Sequence, residues 1–120
     1  MIEVLENLPD NVFGVEAIGT VTDADYEQVL VPAVERQRDA HGEIRFVYVL
    51  GDRFDGWTLG ALWDDAKLGM KDVRTWERIA LVTDKDWLHH TMKALGWMVP
   101  GEVRVFGTAE LDAAIEWAAS

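Results

Sequence analysis

The chain has 120 residues, 49% hydrophobic and 10% aromatic, with no cysteine and a formal net charge of −11. This length and composition predict one folded domain over residues 1–120 and argue against disorder. The charge argues against nucleic acid as a partner, since Lys and Arg supply most of the affinity for phosphates. The lack of cysteine excludes disulfides and thiolate sites.

No targeting segment is expected at the N-terminus. Its first residues lack the basic start and apolar run of a signal peptide. No apolar stretch approaches the roughly 20 residues needed to cross a bilayer. We therefore expect a cytoplasmic protein.

The first third of the chain predicts a hairpin followed by a helix. Residues 1–8 and 12–21 read as two strands around the turn PDN. Thr22 and Asp25 have the spacing of a capping box at the helix start. Pro32 is expected to kink this helix, which ends at His41–Gly42. Its predicted inner face consists of Tyr26, Val29, Leu30, Ala33 and Val34.

The middle of the chain predicts a strand and an apolar helix. Residues 44–50, IRFVYVL, are typical of a strand buried on both faces. The stretch RFDGWTLGALW, in which Asp55 and Gly56 are typical of a turn, then leads into a helix of about 58–71, which Thr58 is expected to cap. One stripe of this helix carries Leu59, Leu62, Trp63, Ala66 and Met70.

The last third predicts two more strand–helix units. Residues 78–84 form a buried strand, Asp84 or Asp86 caps the next helix, and Gly96 ends it. Residues 101–107 read as an edge strand, and Thr108 caps the final helix. Leu88, Met92 and Leu95 are expected to face inward from the third helix, and Leu111, Ala114, Ile115 and Ala118 from the fourth. The order β-β-α-β-α-β-α-β-α indicates a mixed sheet covered by helices.

Residues 76–118 resemble the C-terminal half of the SpoIIAA-like family, a branch of the STAS superfamily. The strand RIALVTD, the strand VRVF and the final helix ELDAAIEW carry this resemblance. The element order, including the opening hairpin, extends it over essentially the whole chain. It implies an α/β fold with a mixed five-stranded sheet and four helices.

The best-known relatives are anti-sigma factor antagonists, in which a serine at the start of the helix after the third strand is phosphorylated. The corresponding stretch here has one hydroxyl, Thr58, and lacks the usual Asp-Ser pair. A phosphoswitch adaptor that binds a protein partner through Thr58 is therefore one alternative. The other interpretation is that Thr58 only caps the helix.

The fold also resembles the CRAL-TRIO lipid carriers, which suggests a small apolar ligand, a lipid or peripheral membrane contact. Gly56 and Gly60 would loosen the start of the second helix. The spacing of its stripe is more often that of ordinary core packing than of a binding site. The expected ligand-binding residues are Phe54, Trp57, Leu59, Leu62, Trp63 and Met70. Surplus Trp and Met also suggest a homo-oligomer.

Catalytic and metal signals are weak. Asp86 and His90 have the i, i+4 spacing of metal ligands, but a third ligand is missing, so no metal and no cofactor are predicted. Ser120 is the only serine, and a nucleophile elbow is missing. A small acid/base enzyme built on Asp52, Asp55, Asp64 and Asp65 remains an alternative. The leading hypothesis is a non-enzymatic binding or regulatory module.

Overall fold

The computed structural model describes residues 1–70, 73–95 and 101–120. Its strands are β1 (Ile2–Val4), β2 (Phe13–Ala17), β3 (Gly19–Val21), β4 (Ile44–Leu50), β5 (Phe54–Trp57), β6 (Trp76–Thr83) and β7 (Glu102–Phe106). Helix α1 combines an α-helical turn (Asp23–Asp25), a π-helical turn (Tyr26–Leu30) and an α-helix (Val31–His41) without a break. The other helices are α2 (Leu59–Met70), α3 (Asp86–Leu95) and α4 (Leu111–Ala119), and 3₁₀ turns occur at Val73–Thr75 and Thr108–Glu110.

The main sheet has five strands in the order β1-β2-β4-β6-β7, which confirms the predicted mixed sheet with four helices within the described ranges. β1 pairs antiparallel with β2, and the remaining pairs are parallel. β7 lies at the edge, as its alternating sequence predicts. Parallel strands are joined by crossovers, so helices cover both faces of this sheet.

Two apolar clusters lie on opposite faces of the sheet. Phe46 and Tyr48 of β4 join the cluster that includes residues of α1, α2 and α3. Val47 and Val49 point the other way and pack with Ala114 and other residues of α4. The strand is therefore buried on both faces, because successive side chains of a strand alternate between them.

Helix α1 begins and ends as predicted but is not simply kinked. Thr22 donates its N–H to the Asp25 carboxylate at 2.9 Å, and the Asp25 N–H returns a bond to Thr22 Oγ1 at 3.3 Å. Before Pro32 the helix widens into the π turn, in which the Val31 N–H bonds the Tyr26 carbonyl. The proline lacks an N–H and crowds the carbonyl four residues earlier, and a wider turn relieves both problems. Gly42 ends the helix with φ 73°.

The predicted strand over residues 12–21 is wrong in one respect, because it is two strands. β2 belongs to the main sheet, whereas β3 pairs in parallel with β5 in a separate two-stranded sheet. β5 occupies a stretch in which Asp55 and Gly56 suggested a turn; Gly56 has φ 133°, a conformation that favours glycine. Thr58 then caps α2 as predicted, since its Oγ1 accepts the Ala61 N–H at 3.1 Å.

The apolar stripe of α2 faces outward, so its assignment to the core is wrong. Leu59 is 86% exposed, Trp63 64% and Met70 78%, while Ala61 and Leu68 are buried. A Cβ on Gly60 would lie only 3.1 Å from Asp23, so the starts of α1 and α2 approach closely here. The helix therefore packs through its small side chains and Leu68, and the larger ones remain in solvent.

The predicted caps of the last two helices need correction. Asp84 does not cap α3; its carboxylate accepts the Thr108 N–H at 2.9 Å and also the Thr108 hydroxyl. Thr108 does not cap the final helix, because Glu110 occupies the cap position of α4. Thr108 is the first residue of the preceding 3₁₀ turn, where Gly107 occupies the cap position and donates its N–H to the Glu110 carboxylate. Asp86 is the first residue of α3.

The predicted inner faces of α3 and α4 are mostly confirmed. Leu88, Ala114 and Ala118 are buried, and Met92 is half-buried against the core. Leu111 and Ile115 pack at the margin of the second cluster. The predicted inward side chain of Leu95 and the helix end at Gly96 lie outside the described side chains and residues. Among the described residues, no helix has the length and apolar character required to cross a bilayer.

Two leucines of α2 test its orientation. Leu68→Ala removes a buried side chain and should lower the free energy of unfolding by about 2–5 kcal/mol. Leu59→Ala removes an exposed one and should change it by less than about 0.5 kcal/mol. Urea denaturation of both variants measures the difference. Equal losses would contradict the outward stripe.

Candidate functional site

An apolar cavity of about 170 Å³ lies between the main sheet and helices α2 and α3. The sheet contributes Phe46 and Leu81, and the helices contribute Leu30, Leu68, Leu88 and Met92. A dry apolar cavity of about 150 Å³ is enough to bind benzene. The space is therefore suited to a small apolar molecule or one segment of a larger one.

One end of the cavity is polar. Tyr48, Trp57 and Asp65 line it, and Tyr26 lies directly behind them. The Trp57 indole N–H donates to the Tyr48 hydroxyl at 3.2 Å, and the two tyrosine hydroxyls are 3.1 Å apart. The Tyr26 hydroxyl donates to Oδ1 of Asp65 at 2.7 Å. Four side chains from α1, β4, β5 and α2 thus meet at one point.

The direction of these hydrogen bonds follows from the number of protons. Each tyrosine hydroxyl and each indole has one hydrogen to donate. Tyr26 donates its hydrogen to Asp65, so the bond between the tyrosines is donated by Tyr48. The chain of donors therefore begins at Trp57 and ends on the carboxylate of Asp65.

Burial shifts the pKa values of this group. Desolvation raises the pKa of Tyr48 to about 12 and raises the pKa of Tyr26 further, so both phenols are neutral at physiological pH. Desolvation also raises the pKa of Asp65 above its ordinary value, despite the opposing bond from Tyr26. The side chain of Asp65 is nevertheless accessible to solvent. Because it lines the cavity, part of that exposure faces the cavity rather than open solvent.

Of the residues predicted to bind a ligand, only Trp57 lines the cavity. Phe54 is buried beside it, with the ring centroids 4.7 Å apart in an edge-to-face arrangement. The remaining four form an exposed face of α2, which we call the outer face: Leu59, Leu62, Trp63 and Met70. The structure therefore divides the predicted site between a cavity and an outer surface.

The other candidate residues are dispersed. Asp64 is buried and pairs with Lys67 at 3.2 Å, so the neighbouring carboxylates of Asp64 and Asp65 have different partners. Asp52 and Asp55 are exposed. The hydroxyl of Thr58 is engaged as the helix cap. No group of three possible metal ligands occurs among the described residues.

Sequence reasoning missed Tyr26, Tyr48 and Asp65 as members of one site. The available signal was two tyrosines at positions predicted to be buried, because a buried Tyr hydroxyl usually has a hydrogen-bond partner. An aspartate in the helix opposite was a candidate partner. Only their mutual positions in three dimensions identify the pairing.

Comparisons with known proteins agree with this architecture. A family model described as SpoIIAA-like matches residues 12–119. The chain is similar to the crystal structure of an uncharacterised protein of the DUF3478 family with a SpoIIAA-like fold from Shewanella loihica PV-4. The two share 28% identity over 98% of this chain and 93% of the other, with a TM-score of 0.77. No curated protein matches the chain.

The raised pKa of Asp65 predicts a pH-dependent gain from Asp65→Asn. A carboxyl group whose folded pKa lies above its unfolded value favours folding most when protonated, and this contribution is lost as pH rises through the folded pKa. The amide keeps an oxygen for Tyr26 but has no charge. We expect Asp65→Asn to be more stable than the wild type at neutral pH, with the difference shrinking as pH falls toward 3.8.

Thermal denaturation across this pH range measures the effect, with Asp64→Asn as the matched control. That variant loses the ion pair with Lys67 and should not be stabilised at neutral pH. A wild type that is more stable than Asp65→Asn at neutral pH would contradict the raised pKa.

Proposed function

Because the chain belongs to the SpoIIAA-like family, we propose that it is a non-enzymatic binding module for a small apolar ligand held in the cavity. The fold supports a binding or regulatory role. The single observation that supports a small apolar ligand is the apolar cavity with one polar end. Ligand sites typically combine apolar walls with a small number of polar groups that orient the bound molecule.

The packing of α2 and α3 supports ligand entry between them. Helix α2 contributes Ala61 and Leu68 to the core, while its larger apolar side chains are exposed. Helix α3 contributes Leu88 and Met92. Opening the cavity between α2 and α3 therefore requires only a small number of buried side chains to separate. A ligand that binds the open form better shifts the population toward it.

The aromatic side chains of β5 connect the cavity to α3. Trp57 contacts Trp87 edge to face, with the ring centroids 6.2 Å apart. Trp87 is half exposed, so this contact between β5 and α3 lies at the surface rather than in the core. Movement of α3 would change the surroundings of Trp57, and its indole N–H is therefore a suitable reporter of binding.

Toluene tests whether the cavity accepts an apolar guest. In ¹H–¹⁵N spectra, the Trp57 indole resonance should shift on titration with toluene. Ile79→Phe adds bulk to the cavity wall and should weaken this binding at least about fivefold.

The matched control is Ile115→Phe, a similar change at a half-buried residue on the opposite face of the sheet. It should leave toluene binding unchanged. The proposed function fails if toluene leaves the Trp57 resonance unshifted, or if both phenylalanine variants bind toluene like the wild type.

A second candidate function is peripheral contact with an electrically neutral lipid surface. The outer face supports it, because Trp63 is 64% exposed and Leu59 86%. Tryptophan is favoured at the headgroup boundary of a bilayer. The net charge of −11 opposes binding to anionic lipid, so the expected surface is zwitterionic.

Co-sedimentation with phosphatidylcholine vesicles tests this candidate. The wild type should sediment with the vesicles, and the double variant Leu59→Ser/Trp63→Ser should lose at least about tenfold in partitioning. Val4→Ser is the control, because Val4 is an exposed apolar residue on β1, outside the outer face.

A second copy of the chain is the competing occupant of the outer face. Sedimentation velocity without lipid distinguishes the two. If the wild type is a dimer that the double variant abolishes, and vesicles recruit neither protein, the outer face is an interface between copies and the lipid candidate fails.

A further inference from the structure

We propose that the ligand carries a hydrogen-bond donor, a hydroxyl or an amino group, which binds Asp65, and that the cavity rejects carboxylates. This inference rests on the proposed function and specifies the chemistry of the ligand. The inference follows from the hydrogen-bond donors and acceptors at the polar end of the cavity. An apolar ligand without a donor would fill the cavity but give the Asp65 carboxylate no hydrogen bond to compensate for its desolvation.

The protein's own donors at this end are already used. The hydrogens of Trp57, Tyr48 and Tyr26 are donated in sequence to Tyr48, Tyr26 and Asp65. Trp76 also lines the cavity and its Nε1–H has no partner among the described residues, but that atom is buried and not accessible from the cavity. A ligand acceptor therefore finds no free donor on the described walls.

The carboxylate of Asp65, in contrast, can still accept hydrogen bonds. An ionised carboxylate has about four lone-pair positions, and Asp65 receives one bond from the described residues, from Tyr26 to Oδ1. Asp25 shows the opposite case, with bonds from the Thr22 N–H and hydroxyl and the N-terminal ammonium at 3.2 Å. The pKa of Asp25 is lowered, whereas that of Asp65 is raised. Asp65 is a carboxylate short of donors, and a ligand hydroxyl or amine supplies one.

The charge of the cavity selects against anions. None of the described residues that line it is Lys, Arg or His. Lys67, on the same helix, is engaged by Asp64. A ligand carboxylate would be placed near Asp65 in low-dielectric surroundings, where both repulsion and desolvation are unfavourable. An ammonium group would instead gain attraction from Asp65.

Four straight-chain probes that differ at one end test the inference: hexanol, hexylamine, hexyl methyl ether and hexanoate. Affinity is measured at neutral pH from the Trp57 indole resonance, with toluene as the reference. Hexanol and hexylamine should bind at least about tenfold more tightly than the ether, because a hydrogen bond to a charged group contributes that much or more. Hexanoate should bind more weakly than the ether.

Asp65→Asn removes the charge while keeping an oxygen for Tyr26. The ratio of hexylamine to hexanoate affinity should fall at least about tenfold in this variant. Asp64→Asn is the matched control and should keep the wild-type ratio, because Asp64 pairs with Lys67 and does not line the cavity.

The outcomes separate the two proposals. If the ether and hexanoate bind as tightly as hexanol, or if Asp65→Asn keeps the wild-type ratio, the donor requirement is overturned while the cavity remains a ligand site. If toluene binds and none of the hexyl probes does, the donor requirement is again overturned. If toluene fails to bind as well, the proposed function fails with it.

Discussion

The hydrogen bond from the Tyr26 hydroxyl to the Asp65 carboxylate links α2 to the rest of this domain. Helix α2 exposes Leu59, Trp63 and Met70, so its largest apolar groups contribute little to its hold on the core. Its buried apolar contacts include Ala61 and Leu68. The bond crosses from α1 to α2 behind the cavity and places the Asp65 carboxylate at the polar end of that space.

The two faces of the sheet show different packing. On one face, α4 packs the small side chains of Ala114 and Ala118 against β4 and β6. On the other, α1, α2 and α3 share the surface, and α2 and α3 leave a cavity between them. Empty space and a desolvated carboxylate both cost stability. Such costs are typical of binding sites, where a ligand recovers them.

Much of the fold was predictable from the sequence, because local patterns specify it. The run IRFVYVL is β-branched, aromatic and apolar nearly throughout, which favours a strand buried on both faces, and the Thr22–Asp25 spacing placed the start of α1. The alternation of strands and helices then led to a mixed sheet. The exceptions are local as well: β5 was missed because Asp55 and Gly56 favour a turn, and pairing with β3 overrides that preference.

The sequence by itself thus determined the five strands of the main sheet, the four helices and their order, since these depend on neighbours along the chain. The tertiary structure alone decided which side of α2 faces the core. Periodicity places Leu59, Trp63 and Met70 on one stripe, but the orientation depends on what α1 and β5 present to the helix. The site was decided in the same way, because Tyr26, Tyr48, Trp57 and Asp65 come from four separate elements. Their hydrogen bonds exist only after those elements have packed together.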